Sequence, residues 1–156
     1  MDERPNVLAE RFSIERDGLR GERVLAKAGC KELGGTLYEL APGSAPIPLH
    51  IHHAMEEAMV VLAVTPTLRT LEGERELAMG EVVAFPRGRQ GAHAICYRSQ
   101  EPARYLMLST LVYPEVVEYP ENETVRAVTR PPFSEPEPGE DRADRMLLFD
   151  RADAKR

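Results

Sequence analysis

Residues 50–57 carry side chains that could bind a metal ion. The segment contains His50, His52 and Glu57, and a single residue separates the two histidines. In a β-strand alternate side chains point to the same face, so His50 and His52 would lie side by side with Cα atoms about 7 Å apart. Imidazole and carboxylate ligands suit Zn, Fe, Mn, Ni or Cu, whereas an all-oxygen set would suit Mg or Ca. The spacing therefore predicts a site for one divalent transition metal ion.

The rest of the predicted ligand set depends on a turn and on a distant histidine. A hairpin after His52 would return Glu57 beside the histidines, because an apolar run follows Glu57 directly. Glu56 would take its place if the turn were one residue tighter. His93 stands in an apolar segment after a Gly/Pro-rich loop and is the other candidate ligand. His53 would point to the opposite face from His52, which excludes it.

The segments that must position these residues are short apolar runs separated by turn residues. Runs of strand-forming residues occur at 33–40, 57–62, 81–85, 91–97, 103–110 and 115–119. Glycine, proline and polar residues separate the runs, as at Pro86 and Gly88. Many short strands with turns between them predict an all-β sandwich or barrel. No helix is expected before the C-terminal tail.

The chain length of 156 residues fits one domain with an adequate core. We divide it into an N-terminal arm at 1–21, a barrel core at about 22–113 and a tail at 114–156. The arm could form short strands at 7–8 and 12–14. The tail contains a Pro/acid-rich stretch at 130–141 of the kind found in disordered segments. Apolar residues at 146–149 would anchor the tail on its own barrel or on a partner.

Composition excludes several classes of partner. The net charge is −6 and the acidic and basic residues are interspersed, which argues against a nucleic-acid groove and against binding to an anionic membrane surface. No apolar run approaches the roughly 20 residues of a membrane span. The polar N-terminus predicts a cytoplasmic protein. Cys30 and Cys96 provide neither a disulfide framework nor a Cys-x-x-Cys site.

Residues 43–97 resemble the two sequence motifs of the cupin superfamily, and the whole chain is similar to small single-domain bacterial cupins. The first motif, a glycine followed by His-x-His and a glutamate, is matched by Gly43, His50, His52 and Glu57. The second, a glycine followed by a Pro-x-Gly turn and a histidine, is matched by Gly80, Pro86, Gly88 and His93. The resemblance implies a double-stranded β-helix, the jelly-roll barrel of cupins. It also implies that His50, His52, Glu57 and His93 bind the metal at one mouth of the barrel.

Three positions depart from the motifs without removing a ligand. Val64 stands where the first motif ends in a glycine that serves a turn. The loop between Gly88 and His93 is two residues longer than usual, and Arg89 and Gln90 are the expected insertion. Tyr97 replaces the asparagine that usually follows the second motif.

Such a ligand set would fill four positions of a five- or six-coordinate metal and leave one or two for water, dioxygen or a substrate oxygen. Met59 and Val61 share the face of Glu57 by alternation, and with Phe85 they are candidates for the lining of a substrate pocket. The alternative for each of them, and the favoured one, is ordinary packing in the hydrophobic core. Arg87, together with Arg89, flanks the mouth and could hold an anionic substrate.

The resemblance implies a metal-dependent dioxygenase or isomerase that acts on a small oxygenated molecule such as an enediol, diketone, phenol or sugar derivative. The alternative is a non-catalytic module that binds or senses a small molecule. A homodimer is expected in either case, because an open sandwich leaves sheet edges that need cover. The arm and residues 146–149 are the segments available for that purpose.

Overall fold

A computed structural model describes residues 4–130 and 146–150 of the chain. In these residues the regular structure is almost entirely β-strand, which confirms the predicted all-β class. The strands are β1 (Ile14–Arg16), β2 (Leu19–Glu22), β3 (Leu33–Leu40), β4 (Ile51–His52), β5 (Glu57–Ala63), β6 (Thr67–Arg69), β7 (Glu74–Glu76), β8 (Val82–Phe85), β9 (Ala94–Cys96), β10 (Ala103–Thr110), β11 (Glu115–Tyr119), β12 (Thr124–Val128) and β13 (Met146–Asp150). The described residues also form one helical turn, α1 (Val24–Lys27), and one 3₁₀ turn (Arg89–Gly91).

The strands form three sheets. A six-stranded sheet has the order β1-β2-β3-β10-β5-β8, a four-stranded sheet the order β13-β12-β11-β4, and a three-stranded sheet the order β7-β6-β9. Every described strand pair is antiparallel. An antiparallel bridge between His50 and His93 connects the four-stranded and three-stranded sheets. Two of the predicted metal ligands therefore lie at the seam between two sheets.

The hydrophobic core lies between the six-stranded sheet and the three-stranded sheet. Side chains on β5 alternate, so Met59 and Val61 are buried in this core, at 0% and 1% exposure. From the opposite side, Leu68 of β6 and Ile95 of β9 contribute to the same cluster. Burial of a side chain of this size stabilises the fold by about 1.5–3 kcal/mol. The core thereby holds β5 and β9 in fixed positions beside the predicted metal ligands.

The strands predicted at 33–40, 103–110 and 115–119 coincide with β3, β10 and β11.

Val64, expected to disturb a turn, has a φ of 61°, in the left-handed region that glycine adopts easily and a β-branched residue rarely does. A glycine would adopt this backbone conformation without strain, which explains why the motif has a glycine at the position of Val64.

Two expectations for the N-terminal part were wrong. The helical turn α1 was not expected, because four residues are too few to show a helical periodicity. Residues 7–8 form a turn rather than a strand, in which the Asn6 side chain accepts a hydrogen bond from the Leu8 backbone N–H at 2.8 Å. The strands β1 and β2 form a hairpin, and β2 pairs with β3 of the main sheet.

The apolar residues of the tail lie in β13, which pairs with β12 of the same chain. Leu147, Leu148 and Phe149 are each more than half exposed. Apart from Arg130, the predicted Pro/acid-rich stretch lies outside the described residues. In the part of the chain that the structure describes, no helix is long and apolar enough to cross a membrane.

Candidate metal centre

The two histidines of the His-x-His segment point to one face, as their spacing predicts. The imidazole centroids of His50 and His52 are 4.9 Å apart, and those of His50 and His93 are 4.4 Å apart. The backbone of His50 exchanges two hydrogen bonds with that of His93, with N···O distances of 3.1 and 3.0 Å. This pair of bonds brings together two residues that are 43 positions apart in the sequence.

Glu57 is the carboxylate that meets the histidines. It is the first residue of β5, and its Oε2 atom lies 3.2 Å from Nε2 of both His52 and His93. Glu56, the alternative, is exposed to solvent, and its backbone N–H donates to the Thr110 hydroxyl. His53 points away from the cluster and contacts Glu118 at 3.2 Å.

The longer loop before His93 does not displace its side chain from the cluster. The extra residues are taken up by the 3₁₀ turn Arg89–Gly91. A side chain at Gly91 would overlap the carbonyl oxygen of Pro86, so this compact turn requires glycine. The His93 imidazole is 1% exposed and stacks on the Phe85 ring, with centroids 3.9 Å apart and planes inclined by 15°.

Hydrogen bonds orient two of the imidazoles for metal binding. Nδ1 of His50 donates to the Pro48 carbonyl, and Nδ1 of His93 donates to the Gly91 carbonyl, both at 2.9 Å. In the neutral imidazole this leaves Nε2 with an unshared electron pair. Nε2 of His93 then faces the Glu57 carboxylate at 3.2 Å, so two acceptors meet unless a proton or a metal cation lies between them. The donor set therefore fits a metal ion, and a backbone carbonyl on the far nitrogen is usual for a metal-binding histidine.

The Nδ1 atom of His52 faces the carboxylate of Glu115, a neighbour that the sequence did not reveal. This Nδ1 is 3.8 Å from Oε1 of Glu115, too long for a hydrogen bond, and has no hydrogen-bond partner among the described residues. Glu115 is fully buried. Its carboxylate accepts hydrogen bonds from the backbone N–H groups of His53, Ala54 and Met55 at 2.9, 3.2 and 2.6 Å. Glu115 thus fixes the turn between His52 and Glu57.

In the absence of a metal ion, His50 and His52 have very different pKa values. Burial, assisted by His93 and His52, lowers the pKa of His50 to about 3. Burial also opposes charge on His52, but the Glu115 and Glu57 carboxylates outweigh it and raise the pKa of His52 to about 9. Burial opposes ionisation of Glu57, but its contacts with His52 and His93 hold its pKa well below the usual range. At neutral pH His50 is therefore neutral, Glu57 is ionised and His52 carries a proton.

His52 should release a proton when a metal binds at neutral pH, because a coordinating imidazole must be unprotonated. With a His52 pKa of about 9, proton release from His52 should by itself raise the apparent affinity about tenfold per pH unit between about pH 7 and pH 9, and this contribution should level off above pH 9. His50 and Glu57 are already unprotonated in this range and add no proton. Calorimetric titrations in buffers of different ionisation enthalpy measure the proton number, and a value near zero at pH 7 would contradict this protonation state.

A small cavity of about 60 Å³ opens beside the cluster. Its wall is formed by Tyr38, Pro46, Ile47, His50, Glu57, His93, Ile95, Tyr105 and Met107. A water molecule needs about 10–15 Å³ on this measure, so the cavity holds a few waters or one end of a small molecule. Tyr38 and Tyr105 stay protonated at neutral pH, because burial raises the pKa of both hydroxyls.

The expected pocket lining differs from the cavity wall. Met59, Val61 and Phe85 belong to the hydrophobic core, where they pack beneath the site and do not border the cavity. Alternation placed Met59 and Val61 on the correct face, but each step of two residues along β5 carries the side chain about 7 Å further from Glu57. Arg87 is exposed to solvent and is not part of the wall either. Tyr38 and Tyr105, on β3 and β10, were not singled out by the sequence.

Three of the four predicted ligands form a group that could hold a metal ion. The ligand atoms of His50, His52 and Glu57 all lie within 4.8 Å of one another. His93 lies outside this mutual limit but contacts Glu57 directly. Two imidazoles and a carboxylate suit several transition metals, so the arrangement does not specify which one.

The fold of this chain is similar to that of several solved structures, among them a cupin. A sugar phosphate isomerase of the cupin superfamily from Silicibacter pomeroyi has a TM-score of 0.74 and 22% identity, and the match covers 87% of this chain and 78% of that one. A putative sugar phosphate isomerase from Acidithiobacillus ferrooxidans has a TM-score of 0.71 and 26% identity, with coverages of 86% and 78%. A polyketide cyclase from Streptomyces resistomycificus has a TM-score of 0.58 and 20% identity, with coverages of 70% and 80%. No protein-family model and no curated protein matches the sequence.

The protein therefore has the cupin fold, the double-stranded β-helix that the motifs in residues 43–97 implied.

Proposed function

We propose that the protein is a metal-dependent enzyme that isomerises a small oxygenated molecule, with His50, His52, Glu57 and His93 as the metal ligands. The observation that supports it most is the convergence of imidazole Nε2 atoms on the Glu57 carboxylate, with contacts of 3.2 Å from His52 and His93. Similarity to two proteins described as sugar phosphate isomerases, one of them as putative, favours isomerisation of a sugar derivative over dioxygenation.

A bound metal would polarise a substrate carbonyl or hydroxyl as a Lewis acid. The protein's own side chains would select and orient that substrate. Tyr38 and Tyr105 line the cavity and stay protonated at neutral pH, and a neutral hydroxyl can donate a hydrogen bond to a substrate oxygen. Ile95 and Met107 give the wall apolar surface that excludes competing water.

A non-catalytic binding module is the second candidate, and one observation favours it. Among the residues that line the cavity, Glu57 is the single carboxylate, and it is already assigned to the metal. A proton transfer between substrate carbons requires a base, and the wall offers none besides the assigned ligands and the tyrosines. In that case the metal and the cavity would serve to capture a small molecule.

Turnover distinguishes the two functions. Protein purified without added metal would be analysed for its elements and then loaded with Fe, Mn, Ni, Zn or Cu. Interconversion of aldose and ketose phosphates would be followed by NMR, and oxygen uptake would be measured with diketones and phenols. Isomer formation that is lost in His52→Ala but retained in Glu56→Ala supports the isomerase. Saturable ligand binding without product across all metals supports the binding module, and oxygen consumption supports a dioxygenase.

The expected homodimer and cytoplasmic location remain part of the proposal. The exposed apolar side chains of Leu147, Leu148 and Phe149 lie on β13, the outermost strand of its sheet, which is the kind of edge that a second copy would cover. Light scattering that gives the mass of a monomer at micromolar concentration would contradict the dimer.

A further inference from the structure

One arginine lies on the same face of the four-stranded sheet as the metal-binding histidines. Val117 of β11 pairs with His52 on one side and with Arg126 of β12 on the other. Directly paired residues point to the same face of a sheet, so the side chains of His52, Val117 and Arg126 share a face. Alternation places His50 and Tyr119 on that face as well.

Tyr119 contacts both His50 and Arg126. Its ring centroid is 6.0 Å from that of His50, and the two rings are inclined by 29°. On its other side, the Arg126 guanidinium lies 4.6 Å from the Tyr119 ring centroid, and Nη1 is 3.5 Å from the Tyr119 hydroxyl. A guanidinium held over an aromatic ring has less freedom to rotate, so its remaining N–H donors keep a fixed direction before a ligand binds.

The charge of Arg126 is not compensated by a carboxylate among the side chains that the structure describes. Its Nε is buried and has no hydrogen-bond partner there. Other arginines of the barrel behave differently: Arg104 binds Glu39 at 2.8 Å and Arg75 binds Glu81 at 2.7 Å. A half-buried cation without a counter-ion is costly to maintain, and in a chain of net charge −6 carboxylates are plentiful.

We infer that Arg126 and Tyr119 bind the anionic group of a small molecule whose other end lies at His50 and Glu57. The inference rests on the proposed function, because it takes the metal-binding residues as the other end of the same site. The anion is a phosphate or a carboxylate, since the planar guanidinium binds both through two parallel hydrogen bonds. Two strand spacings separate His52 from Arg126, about 9.6 Å, which a short phosphorylated or carboxylated compound can span.

Binding of four probes to metal-loaded protein tests this site. The probes are inorganic phosphate, glucose 6-phosphate, gluconate and glucose, and affinities are measured by calorimetry. At least one anionic probe should bind more tightly than glucose. Arg126→Gln should weaken that binding about 10- to 150-fold, the loss expected for a charged hydrogen-bonding partner. Arg126→Lys should be intermediate, and Arg87→Gln, which removes an exposed arginine, should have no effect.

The pattern of results also separates this inference from the metal assignment. Preference for glucose 6-phosphate identifies the group as phosphate, and preference for gluconate identifies it as carboxylate. Equal binding to wild type and Arg126→Gln places the anion elsewhere and overturns the inference, as does a failure of every anionic probe to bind. Elemental analysis of the same samples reports on the metal site separately, because Arg126→Gln should keep the wild-type metal content.

Discussion

Substituting His52 by alanine should abolish stoichiometric metal binding. His52 contributes one of three convergent imidazoles, and its Nε2 lies 3.2 Å from Glu57. Loss of a residue that only supports a metal ligand typically weakens binding 10- to 100-fold, so loss of a ligand should cost more than about 100-fold. Elemental analysis after dialysis measures the metal content of the variant directly.

The neighbouring histidine provides a matched control. His53 has the same side chain one position further along, but it points away from the cluster and contacts Glu118. His53→Ala should therefore retain the wild-type metal content. Glu57→Ala and Glu56→Ala form a second pair of the same kind, in which only the loss of Glu57 should remove the metal. Equal metal content in His52→Ala and His53→Ala would refute the assignment of His52.

Glu115→Ala should weaken both the fold and the metal site. Glu115 is fully buried and accepts hydrogen bonds from three consecutive backbone N–H groups, which the substitution would leave without a partner. We expect the free energy of unfolding to fall by about 3–5 kcal/mol, because three backbone N–H groups would lose their acceptor and His52 would lose a neighbouring carboxylate. Urea denaturation of the metal-free protein measures this loss.

The metal affinity of the Glu115 variants reports on the second role of this residue. Its carboxylate faces Nδ1 of His52, so Glu115→Gln, which keeps the size and loses the charge, should weaken metal binding about 10- to 100-fold. The affinity is compared above the His52 pKa of about 9, because Glu115→Gln also lowers that pKa and so reduces proton competition at neutral pH. The control is Glu118→Gln on the same strand, whose side chain contacts His53 and not His52. If Glu115→Gln and Glu118→Gln bind metal equally well, Glu115 has no role beyond stabilising the turn.

The sequence predicted those parts of the protein that depend on local patterns. The His-x-His spacing gave the shared face of His50 and His52, because alternation in a strand is a local property. The bounds of β3 and β10 followed from continuous runs of strand-forming residues between turns. The turn at Val64 was also identified correctly, because only a backbone with positive φ makes a glycine preferable there.

The parts that the sequence did not predict depend on which strands become neighbours. Glu115 lies about 60 residues beyond the turn it holds, and only the pairing of β11 with β4 brings the two together. Tyr119 and Arg126 reach the histidine face for the same reason. A single glutamate at a strand start, or one arginine in a strand, gives no local signal of its register. Arg87, expected to flank the mouth, is exposed to solvent, and its contact with a substrate stays a prediction.

X-ray absorption spectroscopy of the metal-loaded protein tests the central claim most directly, because the outer scattering shells count coordinated imidazoles. The proposed ligand set predicts one metal per chain with three imidazoles and a carboxylate, at first-shell distances of about 2.0–2.2 Å if the metal is zinc. A spectrum with fewer than three imidazoles, or with sulfur in the first shell, would contradict the assignment of His50, His52, Glu57 and His93.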